Sequence, residues 1–350
     1  TLTFRSITHR PVVTDLFDPQ SETSIDHVAL AQRADIVVVA PASANTIARL
    51  AAGMADNALT ATILATAAPV VVCPAMDGHM YDNPATQENL ATLRERGVTI
   101  AGPATGHLAS GLSGQGRLIE VPEIVGHLCQ VLGRDGDLAG RKIVVSAGGT
   151  QEAIDPARFV GNRSSGKMGN AVAEAARDRG AEVIIVAAPN VLPDPVGVTL
   201  VRVVSADDMQ SAVAAETHGA DALVMAAAVA DWRPRTFAHQ KMKKGEANEW
   251  AIDMVKNPDI VAGIASSGVV KVGFAAESDD VLENARAKIG PKGLDFIVAN
   301  DITDPQSGFG SDGNRVSFIG ADGVSEKLPL LSKYEVGHRI LDRVVSILGA

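Results

Sequence analysis

A chain of 350 residues exceeds what one hydrophobic core organises, so two domains are expected, and a hydrophobic share of 46% with 21% charged and only 3% aromatic residues indicates an α/β globular protein, not a disordered one. The formal net charge of −10 argues against a nucleic-acid partner, because a phosphate backbone is held by an excess of Lys and Arg. Two cysteines, Cys73 and Cys129, are too few for a disulfide framework and fit a reducing cytoplasm, while no apolar run approaches the roughly 20 residues of a membrane span and the opening residues lack the pattern of a signal peptide.

In chain order, residues 36–40 and 70–73 are β-branched runs of strand length, separated by residues 45–66, whose apolar positions recur at helical spacing. A second helix is expected over 84–96, stopped by Gly97 ahead of a short strand at 98–101. This is the alternation of a parallel, buried sheet. Residues 1–17 offer neither a first strand nor a glycine-rich phosphate turn, so this half is expected to be amino-terminally incomplete relative to a doubly wound domain.

The polar, glycine-bearing stretch Gly133-Arg134-Asp135-Gly136-Asp137 reads as a linker, giving domains over 1–133 and 138–350. After it the α/β alternation starts afresh: a strand at 142–146 running into Gly148-Gly149, a helix over 169–179, a strand at 183–187, a helix over 206–216 and a strand at 222–227. Strands at 270–274 and 295–298 continue it. A hairpin from 315–319 across Ala321-Asp322-Gly323 and a closing helix over 333–348 end the chain.

Ligands of such sheets bind beyond the carboxyl ends of strands, where Pro41-Ala42-Ser43-Ala44-Asn45-Thr46 and Pro74-Ala75-Met76-Asp77-Gly78-His79 both fall. Ser43 or Asn45 would either meet a polar ring or simply cap the following helix. His27 sits near the start of a helix expected from about Ser24, where a lone histidine is more often a surface or capping group than a base. The glycine-rich segment 106–117, with Ser110, Ser113 and Arg117, has the composition of a mobile lid or of a plain surface loop.

In the second half, Gly161-Asn162-Arg163-Ser164-Ser165-Gly166-Lys167-Met168 has the spacing of a phosphate loop but places Met168 where magnesium coordination needs Ser or Thr. Backbone N–H groups ahead of a helix still suit an anion there. The cluster Lys241-Met242-Lys243-Lys244 is either a solvated loop or a clamp on a triphosphate. Small residues at 226–230 ahead of Asp231 would let a flat base approach the backbone. No G-x-G-x-x-G follows a strand with an acidic residue about 20 positions on, which removes the support for a NAD-dependent dehydrogenase.

Taken together, Pro41 to Thr46, Pro74-Ala75-Met76, Asn162 to Gly169, Ala227 to Asp231, Lys256-Asn257-Pro258-Asp259-Ile260-Val261 and Gly273-Phe274-Ala275-Ala276-Glu277 occur in the order found in one family. The chain resembles the bacterial bifunctional phosphopantothenoylcysteine decarboxylase / phosphopantothenate-cysteine ligase of coenzyme A biosynthesis. The resemblance implies a flavodoxin-like, FMN-dependent decarboxylase half followed by a Rossmann-like, CTP-dependent ligase half. The ligase would activate 4′-phosphopantothenate as an acyl-cytidylate, with magnesium accompanying the triphosphate, before L-cysteine attacks. Asn162 would contact the acyl-cytidylate; Ala226, Ala227, Asp231, Phe274 and Pro258, Asp259, Ile260 and Val261 would hold the cytidine part. Lys241, Lys288 and Lys292 would take the phosphates, Lys241 also acting in catalysis; metal ligands are not assigned.

In the decarboxylase half the resemblance implies His27 as the essential histidine, Ser43, Asn45 and Met76 near the flavin, and Asp77 and Arg117 near the substrate. Asp77 stands where the family has asparagine, and Ser110 where the lid has a proton-donating cysteine, so a ligase with a catalytically impaired flavin-binding half is the alternative. A cytoplasmic dodecamer, built from flavin-domain trimers and ligase-domain dimers, is the implied assembly.

Overall fold

A computed structural model describes residues 1–16, 26–243, 249–264, 268–277, 281–301, 307 and 310–349. The chain divides into two compact units, Thr1–Leu132 and Gly133–Ala350.

In the first unit, strands Val37–Ala42, Val70–Pro74 and Thr99–Ile100 form a parallel sheet in that order. Val71, Val72 and Cys73 are fully buried, as expected of a strand covered on both faces. The single helix expected over 45–66 is two: Ala44–Ala52 and Ala58–Ala65. Gly53 ends the first in the left-handed conformation (φ 70°), and the Asn57 side chain accepts from Thr60 N–H to start the second. Helix Pro84–Glu95 begins as expected, with Pro84 in its first turn behind an Asn83 cap.

Residues 106–117 are no irregular loop. Ala104–His107 pairs antiparallel with Ser113–Arg117. Gly116 holds φ 143°, and a Cβ there would strike the Met76 carbonyl, so only glycine lets this strand pass the turn after Val70–Pro74. The opening segment forms a helix, Leu2–Thr8, and a further helix spans Asp26–Arg33; Ser24 and Phe17 lie outside the described residues.

The second unit is built on an eight-stranded sheet. Its order is Thr199–Arg202, Glu182–Ala187, Lys142–Ala147, Ala222–Met225, Val270–Glu277, Phe296–Asp301, Val316–Gly320 and Ser325–Lys327. The first six are parallel and run 3-2-1-4-5-6 in chain order; the last two are antiparallel, joined as the expected hairpin. The order reverses between Lys142–Ala147 and Ala222–Met225, which opens a crevice at their carboxyl ends. Val144, Val145, Leu223 and Val224 are completely buried there, each stabilising by roughly 1.5–3 kcal/mol.

Helix Lys167–Arg177 lies directly on strand Lys142–Ala147. Gly169 permits this, because a Cβ would sit 2.6 Å from Ala147 Cβ and 2.8 Å from the Ser146 carbonyl. Its other side packs on Lys333–Leu348, where Gly337 allows a similarly close approach to the Ala171 carbonyl. The stretch 133–137 read as a linker packs on this unit: Leu138 N–H donates to the Arg179 carbonyl (3.0 Å), and the Arg179 guanidinium binds Asp137 (2.5 Å) and Asp342 (2.8 Å). Arg179 thereby holds the Asp137 carboxyl below the usual carboxylate range.

Candidate active sites

The reversal in strand order of the second unit carries a cleft of about 920 Å³. Residues 162–169, 225–231 and 256–261 form its walls, with Gly273, Phe274, Lys288 and Lys292 among the remaining lining residues. One wall is made by small residues that hydrogen-bond backbone to backbone. Ala228 N–H donates to the Gly148 carbonyl (2.8 Å), Gly149 bridges Ala228 in parallel, and Ala227 N–H donates to Ser146 Oγ (3.1 Å). Gly148, at φ 82°, sits where a Cβ would lie 2.5 Å from the Ala188 carbonyl.

Three side chains then fasten this wall to its neighbours. Asn162 Nδ2 donates to the Val229 carbonyl (2.9 Å), and Thr150 Oγ1 accepts from Ala230 N–H (2.9 Å). Asn257 is 6% exposed and donates to the Ala230 carbonyl (2.7 Å), while its carbonyl accepts from Arg233 Nη1 (2.7 Å) and its backbone N–H donates to the Asp231 carbonyl (2.8 Å). Asn257 thus couples Asp231 to the 258–261 turn.

The cleft is cationic despite the acidic chain. Lys292 pairs with Asp259 at 3.1 Å. Burial pushes the Asp259 carboxyl up, but the Ala262 N–H and the Lys292 ammonium outweigh it and hold the group below the usual range. Lys167 Nζ donates to Asp312 Oδ1 (2.7 Å) and the Gly310 carbonyl (2.8 Å). Lys333, 9% exposed, donates to the Ser311 (2.5 Å) and Gly313 (3.1 Å) carbonyls; burial, then Lys167, lower its pKa. Gly166 caps helix Lys167–Arg177 in the left-handed region (φ 77°), so the helix N-terminus also faces the cleft. Such a site suits an anion carrying a flat, weakly polar group.

Of the residues singled out from sequence, Asn162, Ala226, Ala227, Asp231, Pro258, Asp259, Ile260, Val261, Phe274, Lys288 and Lys292 all line this cleft. Lys241 does not. It is exposed on a segment whose next residue, Met242, is gripped at N–H by the buried Asp155 carboxylate (3.2 Å) and at its carbonyl by Arg158 Nη2 (2.5 Å). Lys244 lies outside the described residues. Sequence reasoning missed Thr150 and Asn257 as fasteners and Lys333 as a cleft cation; only Asn257 carried a signal, as part of the 256–261 string. Met168 packs as an apolar anchor, with Asn314 Nδ2 donating to its sulfur (3.7 Å). Among the described residues, no group of three or more His, Cys, Asp or Glu side chains is arranged to hold a metal.

In the first unit the two strand-end loops adjoin, since Ala42 pairs with Pro74 and Ala75 N–H donates to the Ala42 carbonyl (2.9 Å). Ser43 caps helix Ala44–Ala52, accepting from Thr46 N–H at 3.3 Å, and Asn45 stands exposed in its first turn. Met76 N–H donates to the Gly116 carbonyl (2.9 Å). Asp77 Oδ1 accepts from His79 N–H (3.0 Å) and Oδ2 from Ser110 Oγ (2.8 Å); the Ser110 hydroxyl and then the His79 N–H hold this carboxyl below the usual range. Arg117 pairs with Glu120. Among the described residues, His27 Nδ1 is buried without a hydrogen-bond partner, which is uncommon for a buried polar atom.

Comparison with known proteins assigns each unit. Residues 1–133 match the family model described as Flavoprotein, and residues 138–348 match the DNA/pantothenate metabolism flavoprotein C-terminal domain. The coenzyme A biosynthesis bifunctional protein CoaBC of Vibrio vulnificus (strain CMCP6) is 45% identical over 352 residues, covering 99% of this chain and 87% of the relative. That of Bacillus subtilis (strain 168) is 41% identical over 353 residues, covering 99% and 86%. A crystal structure of the C-terminal domain of a CoaBC protein is 39% identical with a TM-score of 0.53, covering 61% of this chain and 98% of that one. With both halves matched and the relatives followed along nearly the whole chain, this protein belongs to the family of bifunctional coenzyme A biosynthesis enzymes, CoaBC.

Proposed function

We propose that the cleft of the second unit joins 4′-phosphopantothenate to L-cysteine at the expense of CTP. The observation that carries this reading is the meeting, in one cleft, of a small-residue wall at 226–231 with Lys288 and Lys292. A carboxylate is a poor electrophile, so it is first joined to the α-phosphorus of CTP; a carboxylate oxygen bonds phosphorus and pyrophosphate leaves. The cysteine amine then attacks the acyl carbon and CMP departs. Asp231 and the 258–261 turn would hold the cytidine, Lys288 and Lys292 the phosphates, and Asn162 the acyl-cytidylate. Lysine ammoniums neutralise charge that builds on the departing pyrophosphate. Magnesium would enter with the triphosphate and neutralise its charge; Asp231 and Asp259 are the carboxylates in the cleft lining that could help hold it. Lys241 is assigned as a further phosphate contact from outside the wall.

For residues 1–133 the proposal is decarboxylation of 4′-phosphopantothenoylcysteine to 4′-phosphopantetheine with FMN. Supporting this reading, the small residues Ala42, Ala44 and Ala75 stand at two adjoining strand ends, and among the described residues His27 Nδ1 is buried without a hydrogen-bond partner. FMN, when bound, supplies the two-electron chemistry at the cysteine Cα–Cβ bond that makes carbon dioxide loss possible. His27 would position or deprotonate the substrate, and Ser43, Asn45 and Met76 would border the ring. A cytoplasmic dodecamer of trimers and dimers is the proposed assembly, which a solution mass of twelve 36.2 kDa chains would support.

The test of the ligase reading is pyrophosphate release from CTP on adding 4′-phosphopantothenate without cysteine, followed by product formation when cysteine arrives. Release that requires cysteine, or that proceeds equally with ATP alone, would overturn the acyl-cytidylate route.

A further inference from the structure

The hairpin of residues 104–117 is fastened at two points to the turn that follows strand Val70–Pro74. At its base, the Gly116 carbonyl accepts from Met76 N–H (2.9 Å), and glycine is obligatory there because a Cβ would strike the Met76 carbonyl. At its tip, Ser110 Oγ donates to Asp77 Oδ2 (2.8 Å) across 33 residues of sequence. The tip is closed on itself: Leu108 N–H donates to the Leu112 carbonyl (2.8 Å), Gly111 N–H donates to the Leu108 carbonyl (2.9 Å), and Leu108 is buried. Asp77 is fixed from its own side, since its second oxygen caps helix Gly78–Tyr81 through His79 N–H (3.0 Å).

We infer that Ser110 and Asp77 act as one positioning couple that holds the hairpin tip down over the strand ends, and that Ser110 serves this contact instead of donating a proton in the reaction. The inference rests on reading residues 1–133 as the decarboxylase half. A serine hydroxyl has a single proton, and here that proton is directed at a carboxylate. Giving it to a reacting carbon would leave an alkoxide beside an anion, the like-charge arrangement that most strongly resists ionisation. The Asp77 carboxyl, held below the usual range, is ionised throughout the neutral region and keeps the bond charge-assisted.

Both positions depart from the resemblance described above, asparagine there being Asp77 here and cysteine there being Ser110. The two departures touch each other. A hydroxyl donates to a carboxylate far better than a thiol does, so each replacement makes sense of the other as a fastening.

The couple is tested by hydrogen–deuterium exchange of the 104–117 segment in the full chain with FMN, alongside decarboxylation kinetics. Ser110→Ala is expected to speed exchange at Leu108 and Gly111 about fivefold and to lower kcat, whereas Ser110→Thr, which keeps the hydroxyl, restores both. Asp77→Asn keeps the helix cap and so remains folded; its smaller effect on exchange should vanish in the Ser110→Ala background. Unchanged exchange in Ser110→Ala, or equal effects of Asp77→Asn with and without Ser110, would overturn the couple. A fall in decarboxylation by Ser110→Ala without any change in exchange would make Ser110 the proton donor after all. If the exchange pattern holds but wild-type protein with full flavin absorbance releases no carbon dioxide, the couple stands and the decarboxylase reading falls.

Discussion

Replacing Asn257 by alanine should damage stability and nucleotide binding together, because one side chain serves both. Its amide donates to the Ala230 carbonyl at 2.7 Å, and Ala230 is 3% exposed, so no water replaces the lost donor. A buried carbonyl left unsatisfied costs about 1–3 kcal/mol. The bond from Arg233 is also lost; that guanidinium is 35% exposed with Asp207 at 3.6 Å, so its share is only about 0.5–1 kcal/mol. The sum, about 1.5–4 kcal/mol, corresponds to a fall of roughly 3–16 °C in the melting of the second unit at about 2–4 °C per kcal/mol. Calorimetry of the intact chain reads that shift, and isothermal titration with CTP reads the function. Affinity should drop about tenfold, since the wall ending at Asp231 loses its side-chain tie at Ala230 to the 258–261 turn and keeps only the backbone bond from Asn257 N–H to the Asp231 carbonyl. A melting temperature within about 1 °C of wild type together with CTP affinity within about twofold would refute the reasoning.

Lys288→Met and Lys292→Met should each weaken CTP binding about tenfold while leaving cytidine binding nearly unchanged, and raised salt should shrink the difference; equal losses for cytidine and CTP would move the phosphates elsewhere. Asn162→Ala should abolish ligation while flavin stays bound, as absorbance of the purified variant would report. The pH dependence of stability has two parts. The Asp137, Asp155 and Asp259 carboxyls lie below their ordinary values in the fold, so their stabilisation is present above the carboxylate range and is lost as pH falls through the lower folded values, below about pH 4. His338 is lowered by burial and then by Arg179, so the fold favours its neutral form and stability falls as pH drops below the ordinary histidine range; His338→Gln should flatten thermal stability near pH 6 and leave the acid limb intact.

Much of this architecture is legible in the sequence where local chemistry and packing agree. Helices Ala206–Glu216 and Lys333–Leu348 lie at their expected bounds, and in the structure Ser205 with Asp208, and Ser332 with Glu335, form the capping boxes that start them. The break at 53–57 was missed because apolar spacing continues through it, although Gly53 and Asn57 carry the stop and the start. The 104–117 hairpin escaped for the opposite reason: its strands hold glycines and polar residues with no alternation, and tertiary bonds to Met76 and Asp77 sustain it.

The candidate sites divide along the same line. Strings at strand ends, such as 226–231 and 256–261, point to the cleft because the order of strands places them there. The fasteners Thr150 and Asn257 are visible only once buried carbonyls and N–H groups have been located in space. Lys241 belongs to a cationic cluster but not to the cleft lining, and Asp155 and Arg158 hold its neighbour Met242.

The central claim is that small-residue strand ends and lysines of the second unit hold CTP, and a crystal structure of the chain with CTP tests it most directly. The account predicts the cytosine against residues 226–231 with the ribose near Asp231 and the 258–261 turn, and the triphosphate within ion-pair distance of Lys288 and Lys292. A nucleotide bound elsewhere, or one whose phosphates point away from both lysines, would contradict it.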